Sequence, residues 1–329
     1  MNEFHFGCTR CGKCCPSGQS GPAGQAGLPG VPLGLAEALD YDREFLLALT
    51  VRMETWNLGD FDLNRPEVPI SLDDLLTALA FRKDKLATDM SRDIVFQMGR
   101  VKATGERIVT FLSVHALALG DTQALSARCP ALSQDGACSL YDRRPLACRV
   151  FPLDPLYPEM LQGVPLAHQA RRLPCDFSGQ APLLLSQGSL KDAQAKADLE
   201  ARQETIRRDS LFLPFYGLAA PTFAPMLRLA DVMLAIKGTG RLDLPFLPAL
   251  AFLTATGRID PERAELCVTR QAAKASDAVA AAMARKNKAE RSRTTLLRNS
   301  LTIMESFQGR IQETADALAA KADQEDDNE

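Results

Sequence analysis

Four cysteines fall within FGCTRCGKCC, at Cys8, Cys11, Cys14 and Cys15, and they are the residues most able to do chemistry in this chain. A Cys-x-x-Cys step lets two thiolates converge on one ion, since the turn between them aims backbone amides at sulfur. Two such steps are fused here, Cys8 to Cys11 and Cys11 to Cys14, and Cys15 follows at once. Adjacent side chains diverge, so Cys14 and Cys15 are expected to face different metals or different atoms of one cluster. A second set, Cys129, Cys138, Cys148 and Cys175, is spread over a longer stretch, and Cys267 stands alone. Four plus four is the arithmetic of tetrathiolate metal sites, whereas Cys267 reads as a buried thiol used as a small hydrophobe. The wider spacing of the second set means that tertiary structure has to gather it.

Charge supports the metal reading. A zinc ion held by four thiolates, or a sulfur-held iron cluster, is anionic, and nearby cations stabilise it. Arg10, Lys13, Arg128, Arg143, Arg144, Arg149, Arg171 and Arg172 all lie near a cysteine. The competing expectation is that these arginines form surface pairs with Asp142 and Asp176. His5, three residues before Cys8, is a candidate ligand or hydrogen-bond donor; His115 reads as structural, and nothing pairs His168 with a nucleophile. Cys11-Gly12 suits a zinc knuckle, while Cys15-Pro16 and Cys129-Pro130 suit the Cys-Pro of bacterial ferredoxins. The same soft ligands serve both, and the balance favours iron–sulfur over zinc.

Other chemistries find less support. No phosphate loop, dinucleotide fingerprint or zincin helix is present. A basic stretch, Arg285, Lys286, Lys288, Arg291, Arg293 and Arg298, is opposed only by Glu290, but no aromatic residue interleaves it. It reads as a solvated helix face, and nucleic acid is not an expected partner.

The elements that must position the cysteines can be sketched. Gly18, Gly21, Gly24, Gly27 and Gly30 recur at every third position, too few triplets for a collagen helix, so 16–34 is expected to be an exposed loop. Inserted helices are expected at about 34–91: one over 34–56, and one opening at the capping box Ser71 to Asp74 and ending near Met90. Asp93 to Leu119 reads as a hairpin turning at Thr104–Gly105, and 129–180 as an irregular, proline-rich region. Helical patterns follow at 189–210, 222–237 and 243–256, and one or two long helices from about Asp260 to Lys321. Within these, Leu297, Leu301, Met304, Ile311, Ala315 and Leu318 form an apolar seam, expected to pack against the domain rather than form a coiled coil. The acidic end, ADQEDDNE, is expected to fray.

With 329 residues, 46% of them hydrophobic and 24% charged, the chain has an ordinary globular composition and can bury a full core. The net charge of −3 gives no reason to expect an anionic membrane as partner. MNEFHFGC lacks the basic start and apolar run of a signal peptide, and Phe246–Leu253 is too short and proline-broken to span a bilayer. A cytoplasmic, reducing location is therefore expected, where the cysteines serve as ligands rather than disulfides.

FGCTRCGKCC at 6–15 and CPALSQDGACSLYDRRPLACRVFP at 129–152 together resemble the YkgJ-like, zinc- or iron-chelating CxxCxxCC family of bacteria and archaea. The resemblance covers those blocks and extends to Cys175. It implies that Cys8, Cys11, Cys14, Cys15, Cys129, Cys138, Cys148 and Cys175 chelate zinc or iron. The chain departs from compact members by the long stretch between Cys15 and Cys129 and by its C-terminal half. A more distant likeness to the flagellin lysine N-methylases implies S-adenosylmethionine as a second cofactor candidate.

The expected fold is α+β. A small irregular metal-bound cysteine-cluster domain with a helical insertion occupies 1–180, and a mainly helical C-terminal region occupies 181–329. The expected function is chelation of zinc or iron, as an iron–sulfur cluster by preference. The alternatives are a lysine methyltransferase-like activity and a scaffold whose metal holds the fold while the C-terminal helices bind a protein partner.

Overall fold

A computed structural model describes residues 3–9, 30–57, 96–100, 105, 107–119, 129, 131–133, 136–173, 175–213, 215–216, 240–286 and 291–326. The chain mixes helices with antiparallel sheet, in keeping with an α+β fold. Its strands are β1 (Phe4–His5), β2 (Gly30–Leu33), β3 (Leu46–Asn57), β4 (Phe96–Arg100), β5 (Arg107–Leu119), β6 (Leu183–Ser186), β7 (Ser189–Leu190) and β8 (Arg241–Pro245). Its α-helices are α1 (Leu146–Val150), α2 (Gly163–Arg172), α3 (Ala193–Ser210), α4 (Leu247–Ala255), α5 (Pro261–Arg285), α6 (Arg291–Phe307) and α7 (Ile311–Asp326).

The first sheet has the order β1-β6-β7, and the second runs β2-β5-β3-β8 with β4 also on β5. The expected hairpin is found: β4 pairs with the start of β5 from Phe96↔Phe111 to Arg100↔Arg107, and Gly105 takes φ +72° in the turn. The end of β5 pairs with β2, from Gly30↔Leu119 to Leu33↔Ala116.

The helix expected over 34–56 is instead a short 3-10 turn, Glu37–Tyr41, followed by β3. Leu47, Ala48, Leu49, Thr50 and Val51 are all nearly inaccessible, so this strand is buried on both faces. A doubly buried strand loses its apolar–polar alternation, and its continuous apolar run is easily taken for a helix. The helix expected from Ser71 to Met90 and the one over 222–237 lie outside the described residues, as does most of the glycine-rich tract.

The region 129–180 is more regular than expected. It contains α1 and the ten-residue α2, in which Pro165 sits in the first turn, where its missing N–H costs nothing. The helical pattern at 189–210 resolves into β7 and α3, and that at 243–256 into β8 and α4. Three helices, not one or two, cover the C-terminal stretch. The side chain of Asp260 opens α5 by accepting from the Arg263 N–H at 2.7 Å, with Pro261 behind it. Lys286 closes that helix at φ +53°, and Gly309 separates α6 from α7 at φ +76°. The apolar seam is thus divided between two helices: Leu297 and Met304 are buried on α6, and Ile311, Ala315 and Leu318 on α7. It serves internal packing, α6 lying on α5 and α7 on α4. The helix α7 continues to Asp326, into the segment expected to fray.

The chain divides into two compact units, each assembled from separate segments. The first comprises Met1–Pro16, Met53–Leu112 and Ala131–Arg208; the second Ser17–Arg52, Ser113–Pro130 and Asp209–Glu329. The boundary expected near 180 falls inside a segment of the first unit.

The core of the first unit joins Val150, Leu153, Leu166, Leu184, Leu185, Leu190 and Leu199, with Phe4, Phe6 and Leu146 packed against it. In the second unit Gln271 clamps the entry to β3. It donates to the carbonyls of Asp42 and Phe45 at 3.0 and 3.1 Å and accepts from Leu47 N–H at 2.7 Å. The buried Asp42 carboxylate accepts from Arg263 at 2.7 Å and Arg270 at 3.1 Å. A buried charge is tolerable only when paired in this way. No described helix is long and apolar enough to cross a membrane.

Candidate metal centre

The N-terminal segment that runs from β1 to Cys8 is held along both edges. On one side β1 pairs with β6, and the Phe6 N–H continues the contact to the Pro182 carbonyl at 3.0 Å. On the other, Gly7 and Asp176 exchange both backbone hydrogen bonds, at 2.7 and 3.1 Å. In antiparallel register the neighbours of such a pair are opposed without hydrogen bonds between them, with Cα atoms about 4.5 Å apart. Those neighbours are Phe6 with Phe177, and Cys8 with Cys175. The first is realised directly, since the rings of Phe6 and Phe177 lie 5.5 Å apart. The register of this bridge therefore sets Cys8 opposite Cys175.

Phe6 also meets Phe151 edge-on, with centroids 6.0 Å apart. Phe151 follows α1, whose Cys148 is half-buried and whose Val150 is anchored in the core. Phe6, Phe151 and Phe177 thus tie together three segments that bear Cys8, Cys148 and Cys175. These aromatic residues were not singled out in the sequence, although each stands two or three residues from a cysteine.

Cys138 is set by a tight hairpin. Ser133 N–H donates to Ala137 O at 2.9 Å and Ser139 N–H to Ala131 O at 2.8 Å, which opposes Cys138 to Leu132. Gly136 adopts φ +86°, a conformation that glycine takes without steric cost. Cys129 is buried and belongs to the second unit. Cys11, Cys14 and Cys15 lie outside the described residues.

Arg149 bridges to Asp198 on α3 at 3.2 Å rather than to Asp142 or Asp176. The guanidinium of Arg144 stacks over Tyr141, 4.3 Å from the ring centroid. Asp176 accepts from Ser178 N–H at 2.9 Å, and the side chain and backbone of Ser178 together hold its carboxyl below the usual range. His5 Nδ1 donates to Ala181 O at 2.7 Å. Its position in β1 alternates away from Phe6 and Cys8.

Asp154, three residues past Phe151, is a feature the sequence did not signal. Burial pushes its carboxyl up to about 6, against the Leu156 N–H that donates to it at 2.9 Å, with the charge of Glu54 adding to the rise. Gln162 locks the same loop, donating to the carbonyls of Asp154 and Tyr157 at 2.7 Å each and accepting from Asp154 N–H at 3.0 Å.

The donors at Cys8 and Cys175 fit a thiolate-bound metal. The described cysteines stand as thiols rather than disulfides. Two thiolates on one tetrahedral zinc lie about 3.8 Å apart, given bonds of about 2.3 Å. Cross-strand Cβ atoms about 5 Å apart let their sulfurs converge to that distance. Among the described residues no group of three or more His, Cys, Asp or Glu side chains is close enough to hold a metal ion. Cys267 differs from the others in environment. Fully buried on α5, its thiol is pushed up to about 12 by burial first and by the Asp42 carboxylate second.

Compared with known proteins, the chain matches no family model, no curated protein and no solved structure.

Proposed function

We propose that this protein binds a metal through its cysteines, Cys8, Cys11, Cys14, Cys15, Cys129, Cys138, Cys148 and Cys175, as an iron–sulfur centre or as zinc. The observation that carries the reading is the opposition of Cys8 to Cys175 across the Gly7–Asp176 bridge. These residues are far apart in sequence, yet the backbone holds them as cross-strand neighbours. Phe6 also packs against Phe151, three residues after Cys148, which supports counting that segment among the ligand-bearing ones. Cys11, Cys14 and Cys15 follow Cys8 at a spacing that lets further thiolates join it. The reading agrees with the resemblance to the CxxCxxCC proteins and with a reducing, cytoplasmic setting in which thiols persist. Such a group would supply Lewis-acid or one-electron chemistry, while the protein's part is to supply the sulfurs and the aromatic packing that aligns their segments.

Anaerobic purification followed by metal analysis tests the proposal. An iron–sulfur centre makes the protein brown, with broad absorption near roughly 400 nm, whereas zinc leaves it colourless. Cys148→Ser and Cys175→Ser are expected to lower the metal content, and Cys267→Ser to leave it unchanged. A wild-type chain purified without stoichiometric metal, or unaltered metal content in both variants, would sink the reading.

A further inference from the structure

The opposition of Cys8 and Cys175 has a second chemical consequence, one that strand register alone sets, so it stands apart from the metal reading. Gly7 and Asp176 form a hydrogen-bonded pair, which makes Cys8 and Cys175 a pair without hydrogen bonds between them, the closer of the two cross-strand geometries. In a regular ladder a pair of that kind has Cα atoms about 4.5 Å apart, within the span that a disulfide bridges without backbone movement. Cys8 is exposed, so a soluble reagent reaches it. By contrast, Cys138 opposes Leu132, and Cys267 is shut away on α5.

We propose that Cys8 and Cys175 form a reversible cross-strand disulfide by exchange with a low-molecular-weight disulfide of the glutathione class. The Cys8 thiolate attacks one sulfur of the small disulfide, forming a mixed disulfide and expelling one small thiolate. The Cys175 thiolate then attacks Cys8 Sγ, forming the Cys8–Cys175 bond and expelling the second. The protein's two thiols lose two electrons and two protons; the small disulfide gains both and leaves as two thiols. A bound metal holding the same sulfurs blocks the exchange, and closure of the bond removes two ligands from the metal.

The test uses the full chain, as purified and after incubation with a chelator, each treated with oxidised glutathione, alkylated and digested with trypsin. Cleavage after Arg10 and over 173–191 isolates Cys8 and Cys175 in peptides that contain no other cysteine. The expected result is a linked pair of these two peptides as the dominant product, with the loss of two alkylatable thiols, reversed by reductant and absent in Cys175→Ser. Linkage only after chelation also supports the proposal and shows that metal guards the pair. The proposal is overturned if both samples leave Cys8 alkylated, or join it to the 11–13 peptide instead. Metal analysis of the same preparations keeps the two readings distinguishable, since a chain that binds metal but never forms the link refutes only the disulfide.

Discussion

Phe6 and Phe151 meet edge to face at 6.0 Å with their planes 73° apart, and this contact joins the segment of Cys8 to the turn behind Cys148. Aromatic pairs prefer this geometry because the positive ring edge meets the negative face, adding about 1 kcal/mol to what burial alone contributes. The same ring of Phe6 packs against Phe177, so one side chain organises three cysteine-bearing segments.

Phe6→Ala is therefore expected to destabilise the first unit by about 3 kcal/mol, at the lower end for a truncated aromatic because Phe6 is only partly buried. Metal content should fall with it. Phe6→Leu, which retains most of the packing volume, should keep more of both. Denaturant unfolding beside metal analysis checks the ordering, and an alanine variant with wild-type stability and metal content would remove Phe6 from this role.

Asp154 makes stability depend on pH in a specified direction. Its folded carboxyl titrates at about 6, above its ordinary value of 3.8, so the folded state favours the protonated form. The contribution is fully present below about pH 4 and is lost as pH rises through 6. At neutral pH the ionised group costs at most about 2 to 3 kcal/mol. Asp154→Asn preserves an oxygen to accept from Leu156 N–H and removes the charge. It should thus be more stable than wild type above pH 7 and show no advantage at pH 4. Thermal unfolding across this range checks it, and an equal difference at every pH would refute the assignment.

Cys267 should be chemically silent. With its thiol pushed up to about 12, roughly one molecule in ten thousand carries the reactive thiolate at pH 8. Its full burial also bars the reagent. Brief alkylation of the folded chain after treatment with a chelator, read by peptide mass, should label Cys8 and spare Cys267 until the protein is unfolded. Equal labelling of the two in the native state would contradict the placement.

Gly309 is expected to resist substitution for a reason of backbone alone. A Cβ there would meet nothing within 4 Å, yet the residue holds φ +76° between α6 and α7. Gly309→Ala should cost about 1 kcal/mol, and Gly309→Asn less, since asparagine tolerates the left-handed region better. Chemical denaturation ranks the three, and an alanine variant as stable as wild type would show that the turn does not require this conformation.

Several local features could be read from single stretches of chain. The hairpin of β4 and β5 was visible because Gly105 interrupts two runs of strand-forming residues. The start of α5 near Asp260 was anticipated, while the cap of Asp260 followed by Pro261 emerged from the structure. β3 was misread, because burial on both faces erases the alternation that identifies a strand. The seam from Leu297 to Leu318 was seen correctly as apolar, but its division at Gly309 depends on a backbone angle that periodicity does not register.

The candidate centre divides in the same way. Residue type and spacing alone carry the proposal that the N-terminal cysteines bind a metal, since local turns suffice to let Cys-x-x-Cys sulfurs converge. Only tertiary structure decided that Asp176 pairs with Gly7 beside Cys8, that Phe6 packs on Phe151, and that Arg149 pairs with Asp198. The reason is physical. A strand pairing between segments so far apart in sequence is selected by the whole core that buries Phe4, Phe6, Leu184 and Leu185 together, and no short window of residues contains that core.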